Sequence, residues 1–133
     1  NLMEEFRKIH QFVVFACNTP IQHALAEFMT DSTNYEDLGK FYQRKRDYFL
    51  KMIDGSRFKV VPSHGTYFQL LDYSAITDEP EKDFAIRMTE EFKLASIPVS
   101  VFYHENTSNN VLRFGFAKEE STLEKAAEIL CRI

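Results

Sequence analysis

Several residue types are scarce in this chain of 133 residues, and each scarcity narrows the classes of protein to consider. There is no tryptophan, and there are only four glycines, four prolines and two cysteines. With so little glycine and proline the composition is that of an ordinary globular chain, which can bury a core without disulfides or metal. Cys17 and Cys131 lie far apart with no metal-binding or redox spacing, as is typical of reduced thiols in a cytoplasmic protein.

The chain also lacks a basic surplus and a long apolar run. Sixteen Lys and Arg against twenty Asp and Glu give a net charge of −4. A binder of nucleic-acid backbone needs a basic stripe to release counterions, and adsorption to an anionic membrane needs the same sign of charge. No apolar run approaches the roughly 20 residues that span a bilayer. We therefore expect neither a nucleic acid nor a membrane as partner.

Two common kinds of chemical site are missing as well. The four histidines show no i, i+4 pairing and no nearby cysteine cluster, so we expect no metal site. Ser63 and Ser100 lie outside the glycine-flanked setting of a serine nucleophile. Any chemistry must depend on other residues.

What the chain has in quantity is aromatic and aliphatic side chains arranged with secondary-structure periods. Thirteen Phe and six Tyr contribute to a hydrophobic content of 44%. The length suits one compact domain, or one domain and a fragment of another. A helical pattern already runs from Leu2 with no capping residue in front of it, which indicates a chain cut from a longer one.

Hydrophobic periodicity predicts the element order α-α-α-β-β-α-β-β-α, an α+β arrangement with helices covering a small sheet. Capping residues are predicted at Thr19, at Thr33 with Glu36, and at Ser121 with Glu124, and Pro80 is predicted to start the fourth helix. The four strands are predicted at residues 58–61, 66–71, 97–102 and 111–116.

Arg113 is the residue with the strongest case for a binding role. Alternation along Val-Leu-Arg-Phe-Gly-Phe places Leu112, Phe114 and Phe116 on one face of a strand, and Arg113 with Gly115 on the other. The small Gly115 leaves room in front of the guanidinium, whose planar fork matches a carboxylate. From the pattern alone, an arginine on the solvent face of an antiparallel strand stays open.

Five separated segments together resemble the class I and II aminotransferases of fold type I, in the branch of methionine and kynurenine aminotransferases. They are FRKIHQF (6–12), NTPIQ (18–22), GTYF (65–68), IPVSVFY (97–103) and LRFGFAK (112–118). Each segment is weak by itself. Their order and spacing extend over the whole chain.

The resemblance implies the small C-terminal domain of the fold type I pyridoxal-phosphate-dependent transferases. Residues 33–133 would form this domain, and residues 1–32 the tail of the large, cofactor-binding domain. In the family, the lysine that holds pyridoxal 5'-phosphate lies upstream, and no lysine here has its Ser-x-x-Lys neighbourhood. The resemblance therefore implies no catalytic and no cofactor-binding residue in this chain.

The resemblance also assigns three substrate-binding residues. Arg113 stands where the family places the arginine that binds the substrate α-carboxylate. Phe15 lies in the connector that reaches across a homodimer into the partner's pocket, and Tyr67 belongs, with residues 97–102, to the small-domain wall that closes on substrate. Ala16 departs from relatives that carry a polar group there, so side-chain specificity does not carry over directly.

The implied reaction moves the amino group of an amino acid to a 2-oxo acid, and the chain by itself would be inactive. The abundance of Phe and Tyr favours an amino acid with a large apolar, aromatic or thioether side chain. Two alternatives remain open: a stand-alone domain that binds small carboxylates, and an interaction domain without a ligand. Sequence upstream of Asn1 with a cofactor-lysine motif would decide for the enzyme.

Overall fold

The computed structural model describes residues 1–105 and 107–133. The chain divides into two compact units, Asn1–Leu38 and Gly39–Ile133. The first unit contains helices α1 (Leu2–Val13) and α2 (Thr19–Phe28) and a 3-10 turn, Ser32–Asn34. Within the described residues no helix is long and apolar enough to cross a membrane.

The capping predictions for the first unit are wrong. Asn1 caps α1, because its side chain accepts from the Met3 amide at 3.1 Å while its backbone nitrogen donates to Glu4 at 3.3 Å. Asn18 rather than Thr19 caps α2, since the Asn18 side-chain oxygen accepts from the amide three residues later.

At the third predicted cap, Thr33 donates to the Asp31 carboxylate from both its backbone nitrogen and its hydroxyl. Asp31 is therefore the capping residue, and it caps the 3-10 turn rather than a helix. The next helix starts only at Leu38. At Thr19 and at Thr33, a carboxylate or amide oxygen just upstream of the predicted cap reaches the free amides.

Helix α3 (Leu38–Met52) leads into a sheet of four antiparallel strands. The elements that follow α3 are β1 (Lys59–Val61), β2 (Phe68–Asp72), α4 (Glu81–Glu90), β3 (Ile97–Pro98), β4 (Val111–Gly115) and α5 (Glu120–Leu130). The strand order in the sheet is β1-β2-β4-β3. The predicted order of helices and strands and the α+β class are confirmed.

The core lies on one face of this sheet. Alternation along β2 and β4 buries Gln69 and Leu71 opposite Phe114 and Leu112. These side chains pack with helical residues in one cluster, and its largest fully buried apolar side chains are those of Phe49, Leu71, Tyr73, Phe84, Met88, Leu112, Phe116 and Leu130. The other face of the same strands stays open, as in many antiparallel sheets.

Two further predictions for the second unit need correction. Only Ile97–Pro98 of the predicted strand at 97–102 pairs in the sheet, and Val99–Phe102 forms a 3-10 turn. Proline has no amide to donate to the ladder, and the Ser100 amide donates to Glu81 instead. Ser121 lies inside α5, whose first free amides bond to the backbone carbonyl of Glu119. The predicted start of α4 after Pro80 is confirmed.

Truncating a side chain on the buried face of the sheet is expected to destabilise the protein more than truncating one on the open face. Leu112 is fully buried, so Leu112→Ala should lower the free energy of unfolding by about 2–5 kcal/mol through lost burial and a residual cavity. Ile97, which pairs with Arg113 on the open face and is 41% exposed, should lose no more than about 0.5 kcal/mol when changed to Ala. Urea unfolding measures both, and equal losses would contradict the assignment of the core face.

Candidate functional site

The open face of the sheet carries Arg113. Its backbone pairs with Leu70 of β2 on one side and with Ile97 of β3 on the other. The predicted alternation is confirmed, because Leu112, Phe114 and Phe116 are buried while Arg113 is only half-buried.

Two aromatic rings hold the Arg113 guanidinium. Its central carbon lies 4.7 Å from the ring centroid of Phe68 and 5.1 Å from that of Phe102. Cation–π contacts of this kind attract the flat face of a guanidinium and leave its N–H edge for other partners. Within residues 1–105 and 107–133, the Arg113 guanidinium makes no hydrogen bond and no ion pair. The N–H donors of the guanidinium are therefore held in position and have no acceptor among the described residues.

Gly115 leaves the space beside Arg113 open. It pairs with Phe68 across β2 and β4, and it lies on the same face as Arg113. A Cβ atom added to Gly115 would meet no heavy atom within 4 Å. The predicted clearance in front of the arginine is therefore confirmed, and packing within this chain does not require the glycine.

A buried carboxylate binds backbone amides close in sequence to Phe102 and Arg113. Glu81, the first residue of α4, is 1% exposed. Its Oε2 accepts from the Ser100 amide at 2.6 Å, and its Oε1 accepts from the amides of Asn109 at 2.8 Å and Val111 at 3.1 Å. Burial raises the pKa of Glu81. The hydrogen bonds from these backbone amides together lower the pKa by a larger amount, so the net pKa lies below its ordinary value.

The turn that leads into β2 is strained. Thr66 has a φ of 65°, which is unfavourable for a β-branched residue and is typical of positions that the surrounding structure must hold. The next residue, Tyr67, is 57% exposed, and its carbonyl accepts from the Phe116 amide at 2.9 Å. Its ring lies 6.3 Å from that of Tyr42 and 5.8 Å from that of Phe68. Tyr67 and Arg113 therefore share Phe68 as a neighbour.

Phe15 belongs to the first unit and is described by itself. Its ring is 91% exposed, and its φ of 48° is rare for a bulky residue. A side chain this exposed is not stabilised by packing within its unit, so packing does not account for the strained backbone. Strained conformations of this kind concentrate at functional sites.

The residues present do not form a site for pyridoxal phosphate. Eight of the nine lysines are exposed, and the half-buried Lys45 donates to the Lys118 carbonyl at 2.7 Å. A lysine that holds a cofactor must stand in an enclosed pocket, and no such lysine occurs among the described residues. These residues contain no cluster of three or more His, Cys, Asp or Glu side chains that could hold a metal ion.

Sequence reasoning missed two residues of this arrangement. Phe68 was part of a predicted strand, but only the pairing of β2 with β4 places it beside Arg113. Glu81 had the pattern of an ordinary acidic residue in the first turn of a helix. Its burial against two backbone segments that lie 19 and 28–30 residues away leaves no local signal.

Comparison with known proteins identifies the family. Residues 1–130 match the family model for aminotransferase class I and II, and the chain belongs to this family. It is 42% identical over 127 residues to methionine aminotransferase of Escherichia coli K12, covering 95% of this chain and 33% of that protein. It is 31% identical over 150 residues to human kynurenine–oxoglutarate transaminase 3, covering 98% and 33% respectively.

Solved structures of aminotransferases also superpose on this chain. The E. coli methionine aminotransferase YbdL superposes with a TM-score of 0.87 at 40% identity, over 98% of this chain and 35% of that one. N-succinyldiaminopimelate aminotransferase of Mycobacterium tuberculosis superposes with a TM-score of 0.78 at 26% identity, over 92% and 32%. The neighbours share the fold type I architecture that the resemblance implied. The chain spans about a third of the length of the curated relatives it matches.

Replacing Glu81 with Gln is expected to change how stability depends on pH. The ionised carboxylate stabilises the folded state above its unfolded pKa, near 4.5, and this contribution is lost as the pH falls through the lower folded-state pKa. Glu81→Gln should therefore be less stable at neutral pH and should lose less stability on acidification. Urea midpoints from pH 7 to about pH 3 measure this, with the exposed Glu128→Gln as control. Parallel curves for Glu81→Gln and wild type would contradict it.

Proposed function

We propose that this chain is the substrate-carboxylate-binding part of a longer aminotransferase, which moves the amino group of an amino acid to a 2-oxo acid. One observation carries the proposal: the Arg113 guanidinium is held between two aromatic rings and has no partner among the described residues. The family membership and the match to about a third of each relative support it.

Arg113 suits both halves of such a reaction. The amino acid and the 2-oxo acid each carry a carboxylate next to the reacting carbon, so one guanidinium fork can orient either of them. The rings of Phe68 and Phe102 restrict the plane of the fork and lower the polarity around it. Orientation of this kind converts binding energy into rate.

The cofactor and the proton-transferring lysine are assigned to the part of the protein that precedes this chain. Bound pyridoxal phosphate would act as the electron sink of the reaction. This chain's own residues would bind and orient the substrate, and the isolated chain would be inactive. We assign residues 33–133 to the small domain and residues 1–32 to the tail of the large domain. The exposed free thiols of Cys17 and Cys131 support a cytoplasmic protein.

The amino donor is proposed to have a large apolar, aromatic or thioether side chain. The relatives named for methionine and kynurenine support this choice. So does the exposed aromatic ring beside Arg113, that of Phe102, which is 62% exposed. Tyr67 is assigned to the wall that closes on the substrate.

The longer protein is proposed to be a homodimer in which Phe15 lines the partner's pocket. A symmetric dimer places the same residue across the interface twice, so each site would combine Arg113 of one subunit with Phe15 of the other. The exposed ring and strained backbone of Phe15 support the assignment.

Removing the guanidinium is expected to disable substrate binding in the full-length enzyme. Truncating one partner of a desolvated arginine–carboxylate pair costs about 2–5 kcal/mol, which is roughly a 30- to several-thousand-fold loss in kcat/KM for Arg113→Ala. Arg113→Lys should also be severely impaired, because a point charge cannot reproduce the fork. Cofactor content should not change. Steady-state kinetics with several amino acids and absorbance of the bound cofactor measure these quantities.

Arg132→Ala is the matched control, since Arg132 lies exposed just after α5 and pairs only loosely with Glu128 at 3.7 Å. It should keep near-normal kinetics. Near-normal kinetics for both Arg113 variants, with the fold intact by circular dichroism, would reject the carboxylate role. That result would favour an interaction domain.

If Phe15 acts across the dimer, and if Phe15→Ala disables the site as Arg113→Ala does, mixing the two variants is expected to restore activity. In a mixed dimer of Arg113→Ala and Phe15→Ala subunits, one site would contain both defects and the other would contain none. Refolding the two variants together should return about a quarter of wild-type activity, because half of the dimers are mixed and each has one intact site. If Phe15 acts within its own subunit, the mixture stays at the average of the two variants.

A further inference from the structure

Glu81 is a buried carboxylate that the proposed function does not use. At 1% exposure it is the only acidic residue in the described part of the chain that is classed as buried. An ionised group removed from water is retained only where strong hydrogen bonds compensate for its lost hydration. Glu81 has three, all from backbone amides.

These amides lie at the two ends of one segment. Ser100 lies in the 3-10 turn that follows β3, and Asn109 and Val111 lie where β4 begins. One oxygen of Glu81 binds the first end and the other oxygen binds the second. The carboxylate therefore holds the backbone at Ser100, at one end, and at Asn109 and Val111, at the other, against the start of α4.

Each end lies two residues from one half of the arginine site. Phe102 follows Ser100 by two positions, and Arg113 follows Val111 by two positions. The distance of 5.1 Å between the Phe102 ring and the guanidinium thus joins two side chains that each lie two residues from an amide bound to Glu81. No other side chain in the described residues accepts from both ends of the segment.

Helix α4 provides a rigid base for this carboxylate. Phe84, Ala85 and Met88, all buried in the core, anchor the helix within two turns of Glu81. Two carboxylate oxygens, each an acceptor, match amides that approach from two sides. A glutamine would keep one acceptor oxygen and turn an N–H₂ group toward the other amide or amides.

We propose that Glu81 is a positioning residue for substrate binding, which sets the placement of Phe102 against Arg113 by holding both ends of the segment that connects them. This inference rests on the proposed carboxylate role of Arg113. Glu81 itself does not touch the substrate, and its effect passes entirely through the arginine site.

The test uses the full-length enzyme with four variants: Glu81→Gln, Glu81→Asp, Arg113→Ala and the double variant Glu81→Gln/Arg113→Ala. Misplacing a binding group by about 1 Å can cost up to 100-fold, so kcat/KM of Glu81→Gln should fall roughly 10- to 100-fold, mainly through a higher KM for both substrates. Glu81→Asp keeps both acceptors on a shorter stem, so it should recover part of this loss. In the Arg113→Ala background, Glu81→Gln should change kcat/KM by less than about two-fold.

Glu79→Gln is the matched control for lost stability. Among the described residues, the Glu79 carboxylate accepts only from the side chains of Thr77 and Arg87, and it makes no hydrogen bond to Ser100, Asn109 or Val111. It should lower the unfolding midpoint without raising KM. A comparable rise in KM for Glu79→Gln would show that lost stability alone explains the effect of Glu81, and would overturn the proposal.

The outcomes separate this inference from the proposed function. If Arg113→Ala is impaired and Glu81→Gln has a normal KM, the positioning role is wrong and the carboxylate role stands. If the two losses multiply in the double variant, Glu81 acts independently of Arg113 and the inference is again wrong. If Arg113→Ala itself has normal kinetics, the proposed function fails first. Loss for Glu81→Gln that disappears in the Arg113→Ala background supports the inference.

Discussion

The three hydrogen bonds to the buried Glu81 carboxylate are the contact on which the geometry of the arginine site depends. A buried charge with a missing hydrogen bond costs several kcal/mol, so the three amides must stay in place together. This requirement couples three elements that are remote in sequence: the start of α4, the 3-10 turn after β3, and the start of β4. The three elements meet at one carboxylate, so the loss of one of its hydrogen bonds weakens the contact among all three.

The two faces of the sheet have different roles in this arrangement. Its covered face packs Leu71, Leu112 and Phe114 among helical side chains, which fixes the strands firmly. Its open face then carries groups whose positions are set by those strands but whose side chains remain accessible. Arg113 has this combination, with a rigid backbone below and two rings beside its guanidinium. A binding group on a strand is held more precisely than one on a loop.

Local rules succeeded for strand faces, for the order of elements and for the start of α4 after Pro80, and they failed for three predicted helix caps. Thr19, Thr33 and Ser121 all have the right chemistry for a cap. At the first two, a side-chain oxygen of Asn18 or Asp31 reaches the amides, and in α5 the backbone carbonyl of Glu119 accepts from them. Several neighbouring residues can satisfy the same free amides, so the sequence limits a helix start only to within a few positions. The predicted strand at 97–102 failed for a different reason, because the Ser100 amide has a partner that lies 19 residues away.

The sequence by itself determined the family and the alternation that places Arg113 on one face of its strand and the buried Leu112 on the other. Each of these depends on residue type and short-range spacing, which a chain carries whether or not it is folded. Only the tertiary structure decided that Phe68 and Phe102 flank the guanidinium, and that Glu81 is a buried acceptor instead of a solvated helix residue. Those facts depend on strand pairing and on contacts between segments tens of residues apart. Such contacts form only when the core brings the segments together.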